Sequence, residues 1–531
     1  MSTTKISYQN TGYFSKMICD YLSEKESLKP FYSRFPVVNN FENQLKEKQS
    51  CFNEKARINL ASQLNKQYKN VAVSEASQKN IQLLLNDNTF TITTGHQLNL
   101  FTGPLYFLYK IVSAINLASQ LKKKYPSFNF VPVYWMATED HDFEEIAYFN
   151  SKGKKFHWKR DFGGAVGELS MEGLDKTFND FTDAIGTTEN AIFLKNLFSE
   201  AYLKHSNLTD ATRFLANELF KEYGLVIIDG NDAELKKAFV PFAEKELLEN
   251  TSYNFIEETT KQLEEVGYKK QVHPRDINLF YLTEGLRERI IEQDGRFIIN
   301  DTKISFSKDE IVLELKKHPE RFSPNALLRP LYQEVILPNL CYIGGGGELA
   351  YWFQLKGYFE AVSVPFPILL LRNSAAIVSK KQAKKLEKLA VSIPDLFLKQ
   401  NELLKKHVQE LSENEIDFTS QRKHLQQQFE NLYKVAEQTD KSFLGAVKAQ
   451  EVKQLKGLDN LEKRLLKAQK RKLKDSVDRI TILQDKIFPN KSLQERTVNF
   501  SEIYLEYGAC LIPSLIDNLN PLESTFTVLV Y

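Results

Sequence analysis

No run of about eighteen apolar residues occurs anywhere in the 531-residue chain, so nothing in it reads as a membrane-spanning helix. Its opening stretch, MSTTKISYQNTGYFSK, lacks the apolar core of a signal peptide, and secretion by that route is not expected. Cysteine is scarce. Cys19, Cys51, Cys341 and Cys510 are scattered with no CxxC pair, a pattern that builds neither a zinc ribbon nor a disulfide framework and suits a reducing cytoplasm. A surplus of one charge is missing too: 70 basic against 68 acidic residues leave +2, so the chain as a whole sets up no field that would draw nucleic acid or an anionic membrane. Also absent are the GxGxxG dinucleotide fingerprint, the Walker phosphate loop and the HExxH zinc pair.

What is present is the composition of a folded, multi-part protein, with 42% hydrophobic and 26% charged residues. The first ninety residues read as helical. Thr89–Thr94 then alternates β-branched residues as a strand does, and Pro104 is suited to open a helix whose apolar positions run from Leu105 to Ala118 and end at Lys122–Lys124. Phe130–Met136, Leu225–Gly230 and Pro365–Arg372 read as further strands, the second preceded by a helix around 211–223. Strands alternating with helices predict an α/β core with a parallel sheet over 1–374, interrupted by mixed insertions near 145–205 and 250–330. From Ala375 to Pro489 the chain turns rich in Lys, Gln, Glu and Leu, which predicts a long antiparallel α-helical coiled coil. Leu466, Leu473, Ile480 and Ile487 stand seven apart as its seam, and bends are expected at Asn414–Asp417 and at Thr439–Asp440. Residues 490–531 regain strand character and are expected to return to the core.

Three clusters carry chemistry. In TTGHQLNLFTGP, Thr93 to Pro104, a strand leaves through a glycine-flanked turn into a helix. Backbone N–H groups from Gly95 and Gln97 to Thr102 and Gly103 would face a phosphate or carboxylate above the sheet. His96 within the turn has a side chain that titrates near neutrality and suits proton transfer, although a lone histidine serves equally as a packing residue. The second cluster, Asp140, His141 and Asp142, ends a strand where ligands of open parallel sheets bind; carboxylates there would hold an ammonium group or a metal. The third, Tyr342 to Trp352, sets Gly345 and Gly346 beside Glu348 and Tyr351, letting a small amino-bearing ligand approach the backbone. Arg329 and Arg372 are candidate guanidinium partners for a carboxylate or phosphate.

The segments TGHQLNLFTGPLY, VPVYWMATEDHDFEE, SPNALLRPLYQEVILP, YIGGGGELAYW and LLLRNSA, in that order and spacing, resemble the bacillithiol biosynthesis cysteine-adding enzymes, described as cysteine ligases. The likeness spans nearly the whole chain, including a late LQER at Leu493–Arg496. It implies a Rossmann-like core with two connecting insertions and a coiled coil used for homodimerisation. It also implies amide formation between cysteine and the amino group of glucosaminyl malate. Family members often carry glutamine where this chain has His96. Chemistry adds that a free carboxylate must be activated before an amine can attack it, so ATP with its Mg2+ is the expected donor, and no other metal is predicted. Two other classes fit single features: a metal-dependent hydrolase using Asp140, His141 and Asp142, and a nucleic-acid-binding protein using Lys463, Arg464, Lys467, Lys470, Arg471, Lys472 and Lys474. The ordinary charged outer face of a coiled coil accounts for the second set, and nucleic acid and membrane are not expected partners.

Overall fold

Thr89–His96 (β1), Asn129–Met136 (β2), Val226–Asp229 (β3), Asn339–Gly344 (β4) and Ile368–Leu371 (β5) form the central sheet of the computed structural model, which describes residues 2–412 and 417–531. Their order is β5-β4-β1-β2-β3 and every pairing is parallel. All eight residues of β1 are buried, because helices cover both faces of a parallel sheet and leave its middle strand no wet side. Pro132 is tolerated inside β2 because β3 pairs only from Val133 onward.

The helix Tyr106–Lys124 crosses from β1 to β2, and every residue from Phe107 to Ala118 is buried. A helix apolar all round belongs inside a large core. The chain's end supplies its outer cover: Asn116 Nδ2 donates to the carbonyls of Ile516 and Leu519 at 2.8 and 2.6 Å. The helix begins at Tyr106, two residues later than expected, since Pro104 forms a bridge with Asn499 and the Leu105 N–H donates to Val498 O.

Two segments depart from the helical reading. Ser2–Ser7 is a strand antiparallel to Thr525–Val530, and Ala375–Val378, expected within the coiled coil, is a strand parallel to that same tail strand. A second sheet thus joins both chain termini to the residues that follow β5. The first insertion folds as a hairpin, Tyr148–Ser151 with Lys154–His157, followed by helices; the second builds an antiparallel sheet from Leu279–Thr283, Leu286–Gln293, Arg296–Ile299, Ser305–Phe306 and Phe322–Pro324.

The hairpin proper consists of Thr419–Glu437 and Lys441–Lys472, turned at Thr439–Asp440, where Asp440 accepts the Ser442 N–H. The other expected bend falls at Asn414, outside the described residues; Asp417 caps Thr419. The seven-residue seam does not run as one stripe. The helix is interrupted at Leu473, and Ile480 and Ile487 join the main core, whereas Leu466 and Leu473 stay only partly buried.

Candidate active site

The strand register brings the carboxyl ends together: Gly95 lies opposite Trp135, His96 opposite Met136, Met136 opposite Asp229, and Gly344 opposite Leu371. All three sequence clusters therefore meet at one edge of the sheet, the edge where open α/β sheets take ligands.

The centre of the site is a buried charge that no local sequence pattern marks as functional. Lys110, in the crossing helix and only 5% exposed, donates to Gly95 O at 2.6 Å and lies 2.7 Å from Glu348 Oε2. Glu348 in turn accepts from Tyr342 Oη and from the Gly345 N–H, each at 2.7 Å. Burial alone would raise the Glu348 carboxyl, but the Lys110 charge and these hydrogen bonds hold it below its ordinary value. A lone lysine inside LYFLYKIVSAINLA was the available signal, since a buried charge needs a partner.

Two arginines flank this pair. The Arg329 guanidinium lies 5.7 Å from the Trp135 ring and 5.5 Å from that of Tyr342, and Nη1 donates to Gln333 at 2.9 Å. The Arg329 charge also acts on the nearby Tyr351 hydroxyl. Arg372 Nη2 pairs with buried Glu495 at 2.8 Å, while its guanidinium lies over Tyr106 at 5.0 Å. Glu495 belongs to the late LQER stretch, to which no role had been given. Arg329 Nη2 and Arg372 Nε are buried and have no hydrogen-bond partner. Gly345 keeps the space before Arg372 open: a Cβ there would stand 3.8 Å from Arg372 Nε and 3.4 Å from Glu348 Oε2. Gly346 packs instead toward Ile18.

At the end of β2, Asp140 accepts a hydrogen bond from Gln97 Nε2 and the His141 N–H, with Arg287 Nη1 at 4.0 Å. Burial would raise this carboxyl; the hydrogen bonds from Gln97 Nε2 and the His141 backbone N–H, with the Arg287 charge, work against it and hold Asp140 below the usual carboxylate range. Asp140 is thus a fixed anion suited to an ammonium group and poorly suited to remove a proton. Glu145, an exposed residue, is shifted the opposite way, raised by partial loss of hydration and by the charges of Asp142 and Asp140, which suits a proton acceptor. Asp142 caps the short helix Phe143–Ile146 through the Glu145 N–H and is exposed.

The expected anion cradle in the Gly95–Gly103 backbone is built differently. The Phe101 N–H donates to Tyr202 Oη and the Gly103 N–H to Leu100 O, while Asn499 Nδ2 caps the carbonyls of Phe101 and Gly103. Phe101 and Thr102 adopt positive φ so that Phe101 can enter a cluster of Phe149, Phe181, Phe198 and Phe500. Thr102 is buried in that wall. The cationic side chains gathered at this edge are Lys110, Arg329 and Arg372.

His96 stacks on Tyr106 and packs edge-on against Phe107, with Nδ1 2.8 Å from Gln97 O. Burial, with the Lys110 charge beside it, pushes its imidazole down to about 3, so it stays neutral through the physiological range and is not a proton shuttle.

An N-terminal model, "Bacillithiol biosynthesis BshC, N-terminal Rossmann-like domain", matches residues 1–373, and the matching C-terminal coiled-coil model covers 375–531. The chain belongs to the BshC family. The border between the BshC models falls at Ser374, just after β5. BshC relatives named "Putative cysteine ligase BshC" are 59% identical in Flavobacterium johnsoniae, over the whole of both chains, and 40% identical in Cytophaga hutchinsonii, over 98% of this chain and 97% of that one. The hydrolase alternative gains nothing from the geometry: among the described residues no group of three or more His, Cys, Asp or Glu is arranged to hold a metal ion. The basic residues from Lys463 to Lys474 follow the hairpin helix and its continuation as a charged outer face.

The His96 shift predicts a pH effect. Between its unfolded value of 6.5 and about 3 the unfolded chain binds a proton that the folded one refuses, so stability falls as pH drops through this window. The contribution is on the order of 5 kcal/mol across it. Unfolding midpoints measured against pH should show a flatter acid limb for His96→Gln than for wild type; equal slopes would remove the assignment.

Proposed function

We propose that this BshC family chain is the cysteine ligase of bacillithiol biosynthesis, forming the amide between the cysteine carboxyl and the amino group of glucosaminyl malate. One observation carries the reading: two buried cations, Lys110 and Arg372, and the half-buried Arg329 stand at the ligand-binding edge, with Arg329 Nη2 and Arg372 Nε buried and unpaired. A buried donor without an acceptor costs about 1–3 kcal/mol, and a bound carboxylate or phosphate would remove that cost. The malate carboxylates, or the phosphate of an activated cysteine, are anions of this kind.

The roles then follow from charge. Asp140 holds the cysteine ammonium, Arg329 and Arg372 neutralise the anionic substrate, and Glu145 takes the proton released when the amine attacks. ATP with Mg2+ supplies the carboxyl activation in this reading. Purified protein given cysteine, glucosaminyl malate and ATP should yield bacillithiol by mass spectrometry. Arg329→Met should lower kcat/KM by about a hundredfold, the loss expected when a charge-assisted contact to the reacting anion is removed. Full activity in that variant, or no product with wild type, would defeat the assignment.

We infer further that the helical hairpin pairs with a second copy of the chain. Its two helices bury Phe429, Ala436 and Val447 between them but leave Leu432, Val435, Phe443 and Leu444 at least 40% exposed around the turn. An apolar patch of this kind at the tip of a projecting hairpin suits self-association. Light scattering should give a dimer for wild type and a monomer for the double variant Leu432→Glu, Val435→Glu; a wild-type monomer removes the proposal.

A further inference from the structure

Arg287 sits near the turn of the second insertion's hairpin and reaches back to the sheet edge. Its Nη1 is 2.6 Å from His141 Nδ1, its Nε donates to Ser323 Oγ at 3.3 Å, and its guanidinium lies over the Phe280 ring at 4.0 Å. Only 6% of the side chain is exposed. The hairpin turn is itself clamped. Gly285 packs so closely on Gly163 and Gly164 of the first insertion that a Cβ on Gly163 would meet Gly285 O at 2.9 Å. Arg287 is therefore delivered by two insertions that touch each other over the site.

A guanidinium in a protein keeps its charge and offers only donors. An approach of 2.6 Å to Nδ1 requires a lone pair there, and an imidazole with a lone pair on Nδ1 carries its proton on Nε2. A proton on Nδ1 would set two donors against each other. The other available acceptor, Asp140 Oδ1, is farther from Nδ1, at 3.4 Å, and already takes the His141 backbone N–H at 2.7 Å.

We propose that Arg287 is a positioning residue that fixes His141 as its Nε2–H tautomer, so that His141 donates a hydrogen bond to a substrate oxygen and does not remove a proton. The identity of that oxygen rests on the ligase reading; the tautomer does not. With Asp140 locked as an anion and Nδ1 of His141 filled, this segment orients substrate, and proton removal passes to another group.

Nuclear magnetic resonance of the full chain labelled with 15N-histidine, His141 being assigned by its loss in His141→Gln, reads which ring nitrogen carries the proton. Wild type should show it on Nε2. In Arg287→Met, Asp140 Oδ1 becomes the strong neighbour of Nδ1, and the ratio of Nδ1–H to Nε2–H should rise by about tenfold or more. Arg287→Lys keeps a donor and should retain the wild-type form, which a packing role alone would not produce. A wild-type proton on Nδ1, or an unchanged ratio in folded Arg287→Met, overturns the proposal. The wild-type measurement decides this even if a variant fails to fold. No substrate is added, so failure of the ligase reading would leave the result standing.

Discussion

The ion pair between Lys110 and Glu348 is the interaction on which the rest of the sheet edge depends. It joins three elements that are far apart in the chain: the carbonyl of Gly95 at the end of β1, the helix that follows it, and the glycine turn after β4. Lys110 is taken out of water and Glu348 largely so, and here Gly95 O, Tyr342 Oη and the Gly345 N–H complete both partners. Loss of Glu348 would leave the buried Lys110 charge unmatched, at a cost of about 3–5 kcal/mol. Nothing in a stable core needs such a pair. Its effect is to fix Tyr342 and the glycine turn in front of Arg329 and Arg372, the two side chains with donors left over.

The flanking arginines are held with the same rigidity from further out. Arg329 begins a helix whose preceding turn is set by Asn325, which caps Leu327 and Leu328 and accepts the Arg329 N–H at its carbonyl. Asn325 in turn donates to Asn278, and Asn278 is bound by the buried carboxylate of Glu246. Arg372 is anchored by Glu495, which also receives the Ala375 N–H. The second sheet, built from both chain termini, thus reaches the site through one carboxylate. This connection explains why a strand stands where a coiled-coil helix had been read: Ala375–Val378 must pair with the tail that brings Glu495 under Arg372.

Much of the fold was legible because it is local. The alternation in Thr89–Thr94, the apolar run of Phe130–Met136 and the helical spacing after Pro104 each specify an element without help from elsewhere, and the resemblance carried by the five motifs located the edge. What escaped was set by distant partners. The Phe101 N–H is taken by Tyr202, and the carbonyls of Phe101 and Gly103 by Asn499, partners about a hundred and about four hundred residues away that no local pattern reveals. Arg287 and Arg289 are indistinguishable in LRERIIEQ and share one face of the strand; only the distant partners His141, Ser323 and Phe280 bury the first, while the second stays exposed. His96 drew attention as a titratable side chain in a loop, and burial against Tyr106 and Phe107 removed that property.

A cationic, preorganised sheet edge is the feature on which the proposed ligase role depends. Profiling low-molecular-weight thiols by mass spectrometry in cells lacking this chain tests it most directly. Bacillithiol should disappear and glucosaminyl malate accumulate, with recovery on return of the wild-type chain but not of Arg372→Met. An unchanged thiol pool, or full recovery by that variant, would contradict it.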